Sequence, residues 1–229
     1  MLTLVSYPGL FGLADNNPYG LKVFAFLKLC GLDFEHMHVL DAKDAPRGQL
    51  PYLIDDGAMV GDSDAIVAYL TETYGLAIDD ALTPEQRRTH LLALRLLDDL
   101  YWVMSYSRWK DPHVWPRFRD ALMAALPDVG PGVLEAARDY NFQRYHCQGI
   151  GRFEPDEVYA RGIVDLGVLA ELTAKPGFVF GPEPSSLDAA IYGFIANIHF
   201  YDIATPLKAF VDAHPKLVAH CEAVHARMG

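Results

Sequence analysis

Cysteine is scarce in this sequence. The 229 residues include three cysteines, Cys30, Cys147 and Cys221, which are odd in number and far apart. This spacing argues against a disulfide framework and is typical of a reducing compartment. Cys221 and His225 stand four residues apart on a predicted helix, but two ligands do not make a zinc site. We therefore expect no metal centre.

Positive charge is also in short supply. Nineteen Lys and Arg residues face 30 Asp and Glu residues, which gives a formal net charge of −11. An acidic surface repels phosphate backbones and anionic lipids, so neither nucleic acid nor a membrane is an expected partner. No apolar run approaches the ~18 residues of a membrane span. The first nine residues lack the basic region of a signal peptide, and we expect a cytoplasmic protein.

The sequence does contain enough apolar residues for a full core. Its hydrophobic content is 51% and its charged content 21%, as in ordinary soluble globular proteins. A chain of this length can form one large domain or two small ones.

Strand and helix signals alternate up to about residue 75. We predict a strand from Leu2 to Tyr7, a helix from Pro18 to about Cys30 and a strand from Phe34 to Leu40, followed by a hairpin and a second helix. Beyond Gly75 nearly all signals are helical, and Thr83 and Gln86 have capping-box spacing. The prediction is an α/β domain over residues 1–78 and an all-α domain over residues 84–229.

The stretch from Gly48 to Leu70 carries the clearest functional signal. An Asp-Gly step at residues 56 and 57 lies between two short apolar runs, which predicts a β-hairpin. Asp62 and Ser63 then favour a helix N-terminus directly after the second strand. The free N–H groups and the positive dipole end of such a helix form a small carboxylate site. The first-turn acids Asp62 and Asp64 would oppose a bound carboxylate.

Several short motifs together resemble the glutathione transferase superfamily. They are Asn17-Pro18-Tyr19, Leu50-Pro51, Asp62-Ser63 followed by Ala65-Ile66, and Phe178-Val179-Phe180-Gly181 followed by Ser185 and Asp188. Two further segments, Leu100-Tyr101-Trp102 to Arg108-Trp109 and Gly149-Ile150-Gly151-Arg152, look more like the metaxin and failed-axon-connections branch. The resemblance implies a thioredoxin-like N-terminal domain, an all-helical C-terminal domain and a homodimer.

The resemblance also implies a glutathione site on the hairpin and second helix. It places Gln49, Leu50 and Pro51 beside the cysteinyl backbone of glutathione, with a cis peptide bond before the proline. It places Asp62 and Ser63 at the γ-glutamyl end. The amino group of that end suits Asp62, while its carboxylate suits the helix N-terminus.

Two residues are candidates for activating the glutathione thiol. Asn17 occupies the position where redox members of the superfamily carry a cysteine, and its amide can donate to a thiolate. Tyr7, at the end of the first strand, can donate through its hydroxyl. The alternatives are that Asn17 is a plain N-cap and Tyr7 a loop aromatic. Gly20 replaces the second cysteine of the redox motif, which excludes dithiol chemistry.

A co-substrate pocket is expected against the long helix that follows Thr83. Tyr101, Ser105 and Arg108 share one stripe of this helix and carry polar tips that can fix an electrophile. The aromatic stripe of Trp102, Tyr106 and Trp109 is more typical of core.

These features support two functions. The first is a transferase that activates the glutathione thiol for attack on a small hydrophobic electrophile or a disulfide. The second is a non-catalytic interaction module of the metaxin type. Glutathione binding followed by turnover separates the two.

Overall fold

The structure, a computed structural model, describes residues 1–127 and 129–228. Its four strands are β1 (Leu2–Ser6), β2 (Phe34–His38), β3 (Tyr52–Asp55) and β4 (Ala58–Gly61). Its helices are α1 (Pro18–Leu29), α2 (Ser63–Tyr74), α3 (Pro84–Trp109), α4 (Trp115–Ala125), α5 (Pro131–Gln148), α6 (Pro155–Leu172), α7 (Ser186–His199), α8 (Pro206–Asp212) and α9 (Pro215–His225). The predicted fold class, a thioredoxin-like α/β part followed by a helical part, is confirmed.

The strands form one mixed sheet in the order β2-β1-β3-β4. β1 and β2 are parallel because α1 connects them, whereas β3 pairs antiparallel with both β1 and β4. Asp56 and Gly57 turn β3 into β4 with φ angles of 44° and 90°. These values suit the Asp-Gly hairpin that the sequence predicted.

The long helix α3 begins as predicted at Thr83. The Thr83 hydroxyl accepts from the Gln86 N–H over 3.2 Å, and the Gln86 side chain accepts from the Thr83 N–H over 2.8 Å. β2 is two residues shorter than expected and ends at His38.

Helices α1 and α7 form the most extensive contact between the two halves of the chain. Gly193 of α7 lies against the backbone of α1, and a Cβ there would stand 2.5 Å from the Pro18 carbonyl oxygen. The buried apolar side chains form a continuous core from the sheet to the helical part. The boundary between residues 78 and 84 therefore stays a prediction, and its outer limit, Gly229, lies outside the described residues.

Candidate active site

A polar cavity of about 380 Å³ lies where the sheet, α1 and α2 meet α3 and α5. The predicted glutathione-binding residues all line it, namely Gln49, Leu50, Pro51, Asp62 and Ser63. Tyr7 and Asn17 line it as well. The structure thus brings together residues from four separate stretches of the chain.

The first wall of this cavity is the N-terminus of α2. Asp62 caps the helix, and its Oδ1 accepts from the N–H groups of Asp64 and Ala65, over 3.0 Å each. Its φ of 83° turns the chain sharply from β4 into the helix. Because Asp62 uses Oδ1 for the cap and no donor among the described residues engages Oδ2, the second oxygen stays available for a further hydrogen bond.

Ser63 is held by a residue that the sequence analysis missed. Lys22, on α1, is only 4% exposed, and its ammonium donates to Ser63 Oγ over 3.1 Å. It also pairs with the Asp64 carboxylate. A lone lysine in the apolar run Leu21-Lys22-Val23 was the available signal, since a buried lysine requires a partner.

Lys22 reduces the electrostatic repulsion between Asp64 and a carboxylate bound at this helix end. Burial alone would raise the pKa of Asp64, but the Lys22 ammonium and the Arg95 guanidinium more than offset it and hold that pKa below its usual range. Arg95 lies 3.4 Å from Asp64 and 3.0 Å from Asp98. The negative charge of Asp64 is therefore compensated by two cations, which weakens its repulsion of a carboxylate in the cavity.

The second wall is the entrance to β3. The Leu50–Pro51 peptide bond is cis, as the resemblance implied. Leu50 is buried while Gln49 is exposed, although both line the polar cavity.

Asn17 lies at the N-terminus of α1, between the two walls. Its side-chain Oδ1 accepts from the Tyr19 N–H over 3.0 Å, so the N-cap interpretation is confirmed. Within residues 1–127 and 129–228, no acceptor engages its Nδ2. The same side chain can therefore cap the helix and donate into the cavity.

Tyr7 stands at the end of β1, beside Asn17. Burial raises the pKa of its hydroxyl to about 12. At neutral pH the hydroxyl is therefore protonated and remains a hydrogen-bond donor. Both candidates for thiol activation therefore contribute a possible hydrogen-bond donor to the cavity lining.

A second cavity, also of about 380 Å³, adjoins the first along α3, α4 and α5. Tyr101, Ser105 and Arg108 line it, together with apolar side chains such as Phe118 and Leu122. The two cavities share Tyr7 and Asn17, so a group held between them faces both candidate donors.

The polar groups of Arg108 and Ser105, in the predicted co-substrate stripe of α3, form hydrogen bonds within the protein. Arg108 donates through Nη1 to the Asn16 carbonyl oxygen over 2.9 Å and through Nη2 to the carbonyl oxygen of Asn197. Its guanidinium stacks 4.2 Å from the centre of the Tyr201 ring. Ser105 shares a 2.7 Å hydrogen bond with the Tyr145 hydroxyl. Arg108 therefore fixes the loop before α1 as well as lining the cavity.

The aromatic stripe is split between core and cavity. Tyr106 is buried in the core, as its spacing predicted. Trp109 lines the second cavity and Trp102 the polar one. Residues of both stripes therefore line a cavity, which helical spacing alone does not reveal.

Arg144, on α5, is a second residue that the sequence did not reveal. It lines both cavities and stacks 5.1 Å from the centre of the Trp102 ring. Its Nη1 donates to Asn141 Oδ1 over 3.0 Å. Within the described ranges no carboxylate lies within 4.0 Å of its guanidinium. A half-buried guanidinium that lines a cavity and has no carboxylate partner is suited to a negatively charged ligand group.

Residues 1–127 and 129–228 contain neither a metal-binding cluster nor a membrane-spanning helix. No group of three or more His, Cys, Asp or Glu side chains is close enough to hold a metal ion. No helix there combines the length and the apolar character that crossing a membrane requires.

A thioredoxin-like part, a helical part and two joined cavities at the N-terminus of α1 together define a protein of the glutathione transferase class. Residues 18–114 match the family model of the glutathione S-transferase N-terminal domain, and residues 162–224 match that of the C-terminal domain. The chain is 30% identical over 234 residues to isoprene-epoxide glutathione S-transferase of Rhodococcus sp. strain AD45, covering 98% of each protein. This chain belongs to the glutathione S-transferase family.

Two further comparisons agree. Failed axon connections of Drosophila melanogaster is 31% identical over 222 residues, covering 91% of this chain and 53% of that protein. The expected likeness to that branch is therefore confirmed. A glutathione S-transferase of Methylobacterium radiotolerans, solved in complex with glutathione sulfonate, shares the fold with a TM-score of 0.63 at 16% identity, over 99% of this chain and 91% of its own.

Proposed function

We propose that this chain binds glutathione in the polar cavity and activates its thiol for attack on a hydrophobic electrophile in the second cavity. The observation that carries the proposal is the pairing of Lys22 with Ser63 at the N-terminus of α2. It places a buried ammonium, itself paired with Asp64, behind the Ser63 hydroxyl. That hydroxyl lines the same cavity as Leu50, Pro51 and Asn17.

The γ-glutamyl end of glutathione fits the α2 wall. Its α-carboxylate would accept from the Ser63 N–H and hydroxyl, with the dipole of α2 and the ammonium of Lys22 behind them. Its amino group would face the carboxylate of Asp62. The cysteinyl backbone would pair with Leu50 beside the cis proline, while Gln49 contacts the exposed side of the tripeptide.

The thiol would then lie near Asn17 and Tyr7, where the two cavities join. Hydrogen bonds to the thiolate favour ionisation, and the thiol proton leaves to solvent. The sulfur attacks the electrophilic carbon in the second cavity. A C–S bond forms as the bond from that carbon to its leaving atom breaks, and the leaving atom takes up a proton.

The similarity to an isoprene-epoxide transferase favours an epoxide as one electrophile to test. Opening an epoxide places negative charge on its oxygen, which needs a donor or a cation nearby. Tyr101 and Arg144 line both cavities and can serve in this way. Ser105 and Arg108 would shape the floor of the pocket.

Glutathione titration by isothermal calorimetry tests the binding step. We expect saturable binding to the wild type and at least tenfold weaker binding to Ser63→Ala, because the hydroxyl donor is lost. Ser107→Ala is the matched control, since Ser107 is similarly buried on α3 and, among the described residues, its hydroxyl bonds only to the Met104 carbonyl oxygen. Unchanged affinity in Ser63→Ala would contradict the proposed site.

Turnover separates the enzyme from the second candidate, a non-catalytic interaction module. The similarity to Failed axon connections favours that candidate. A panel of aryl halides, epoxides and disulfides is assayed with glutathione. Conjugation or disulfide reduction that falls in both Asn17→Ala and Tyr7→Phe, or in one of them, supports the enzyme. Binding without turnover on every substrate supports the module.

We also propose that the chain forms a homodimer. Leu91 and Leu92 on α3 are 52% and 70% exposed, and self-association would cover this apolar surface. Light scattering is expected to give twice the chain mass of 25.5 kDa. The variant Leu92→Glu is expected to be monomeric if this face is the interface.

A further inference from the structure

Asp15, in the loop between β1 and α1, is a buried carboxyl group that the proposed chemistry leaves without a role. Its side chain is 0% exposed. Oδ1 accepts from the Asn17 backbone N–H over 2.6 Å. In the part of the chain that the structure describes, no donor reaches Oδ2 and no cation pairs with the carboxylate.

The first turn of α1 leaves room for this carboxyl group. A Cβ at Gly20 would stand 1.8 Å from Asp15 Oδ2 and 2.6 Å from its Cγ. The loop is also tied from the helical part, because Asn197 Nδ2 donates to the Asp15 carbonyl oxygen over 3.3 Å. Glycine at position 20 is therefore explained by the space that Asp15 occupies.

The carboxyl is poised to change charge near neutral pH. Burial raises the pKa of Asp15 to about 8, although the hydrogen bond from the Asn17 N–H favours its ionised form. The titratable groups around it hold their charge over this range. Burial raises the pKa of Tyr7 and of Tyr201 to about 12 and lowers that of His36, behind Ser6, to about 4.

The nearest guanidinium does not compensate the charge. Arg108 hydrogen-bonds to the carbonyl oxygen of Asn16 and faces Tyr201, so it fixes the loop without pairing with Asp15. Between about pH 6.5 and pH 9, Asp15 is thus the member of this set that gains or loses a proton.

We propose that Asp15 is a positioning residue that holds the backbone of Asn17 at the N-terminus of α1, and that its charge controls how strongly this helix end stabilises the glutathione thiolate. The inference rests on the proposed function, which places the thiol near Asn17. The neutral carboxyl fixes Asn17 without adding charge. The ionised carboxylate, formed as its proton leaves to solvent, opposes a thiolate on the other side of the same loop.

The experiment follows thiolate formation in bound glutathione by its ultraviolet absorbance, between about pH 6 and pH 10. The wild type is expected to titrate in two overlapping steps, because thiol and carboxyl interact. Asp15→Asn keeps the acceptor for the Asn17 N–H but carries no charge. It is expected to give a single step whose midpoint lies lower by about 0.5 pH unit or more.

Asp15→Ala removes the acceptor as well as the charge. It is expected to form several-fold less thiolate at neutral pH than Asp15→Asn, while its glutathione affinity stays within about twofold of that variant. The difference between the two variants separates positioning from charge. Because Asp15→Asn is isosteric, it keeps the test available even where Asp15→Ala folds poorly.

Calorimetry on the same proteins distinguishes the two ways of failing. Wild-type titration curves in both variants, with glutathione still bound, would overturn the role of Asp15 and leave the proposed function standing. Absence of glutathione binding in the wild type would overturn both.

Discussion

The buried ammonium of Lys22 donates to the hydroxyl oxygen of Ser63 over 3.1 Å, and so joins α1 to the first residue of α2. This contact orients a hydroxyl that lines the polar cavity. It also stabilises the fold, because the same ammonium pairs with Asp64.

We predict that Lys22→Met weakens glutathione binding about tenfold and lowers the free energy of unfolding by roughly 2 kcal/mol. The charge behind the carboxylate site is lost, and Asp64 keeps only Arg95 as a partner. Calorimetry and urea denaturation measure the two effects. Lys28→Met, at an exposed lysine on the same helix, is the control and should change neither.

Asp62 has two tasks that substitutions can separate. Asp62→Asn keeps an acceptor for the Asp64 and Ala65 N–H groups and is expected to leave stability within about 0.5 kcal/mol. It should still weaken glutathione binding, since the charge facing the γ-glutamyl amino group is gone. Asp62→Ala should weaken binding and also cost about 1 kcal/mol of stability. Full affinity in Asp62→Asn would show that the carboxylate does not meet the amino group.

Asp15 should make the protein less stable as pH rises. Its pKa is about 8 in the folded chain against an ordinary value of 3.8, so the folded state holds one more proton than the unfolded state between these values. The free energy of unfolding is therefore largest below the lower value and falls by about 1.4 kcal/mol per pH unit until the higher one.

The window from about pH 6.5 to pH 8 isolates this effect. His36, with its lowered pKa of about 4, makes stability rise with pH only up to its unfolded value near 6.5. Burial raises the pKa of Asp165 to about 6, so this residue affects the pH dependence of stability below that pH. Urea midpoints across the window should fall in the wild type and in Asp165→Asn but stay nearly level in Asp15→Asn.

Asp188 should matter for stability and leave binding unaffected. Its carboxylate is buried and accepts from the N–H groups of Val179 and Ser185 and from the Ser185 hydroxyl and His220 Nε2, all within 2.9 Å. Burial would raise its pKa, but the His220 and backbone hydrogen bonds hold it below the usual range. This contribution is present above about pH 4 and is lost as pH falls further.

We predict that Asp188→Ala lowers the free energy of unfolding by about 3 kcal/mol, since several buried donors lose their acceptor. Glutathione affinity of the folded variant should stay within twofold, because the residue lies at the start of α7 and lines neither cavity. A large loss of affinity in stable protein would contradict this structural role.

Local signals explain why much of the fold was predictable. The Asp56-Gly57 turn, the Thr83 and Ser185 capping boxes and the Asn17 N-cap each involve residues within a few positions of one another. Their hydrogen bonds follow from neighbouring residue types, so the sequence contains the whole interaction. The resemblance added the cis Leu50–Pro51 bond, which spacing alone does not indicate.

The site was harder to predict because its decisive contacts join distant residues. Lys22 and Ser63 are 41 positions apart, and Arg108 reaches Asn16 across 92. Nothing near Arg108 in the sequence reveals that its donors are used by backbone carbonyl oxygens. Arg144 lies on a helix of mixed polar and apolar residues, so its position between the cavities depends on how α5 packs against α3.

The close approach of the Asp15 carboxyl group to Gly20 restricts the order of substitutions by which this chain could acquire dithiol chemistry. Asn17→Cys alone places a thiol at the start of α1 without disturbing the carboxyl. Gly20→Cys introduces a Cβ into the space that Asp15 Oδ2 fills, so it is tolerated only after Asp15 has become a smaller residue. That earlier change also removes the acceptor for the Asn17 N–H. An evolutionary or engineered path to a redox enzyme must therefore pass through a form in which the loop before α1 is less firmly held.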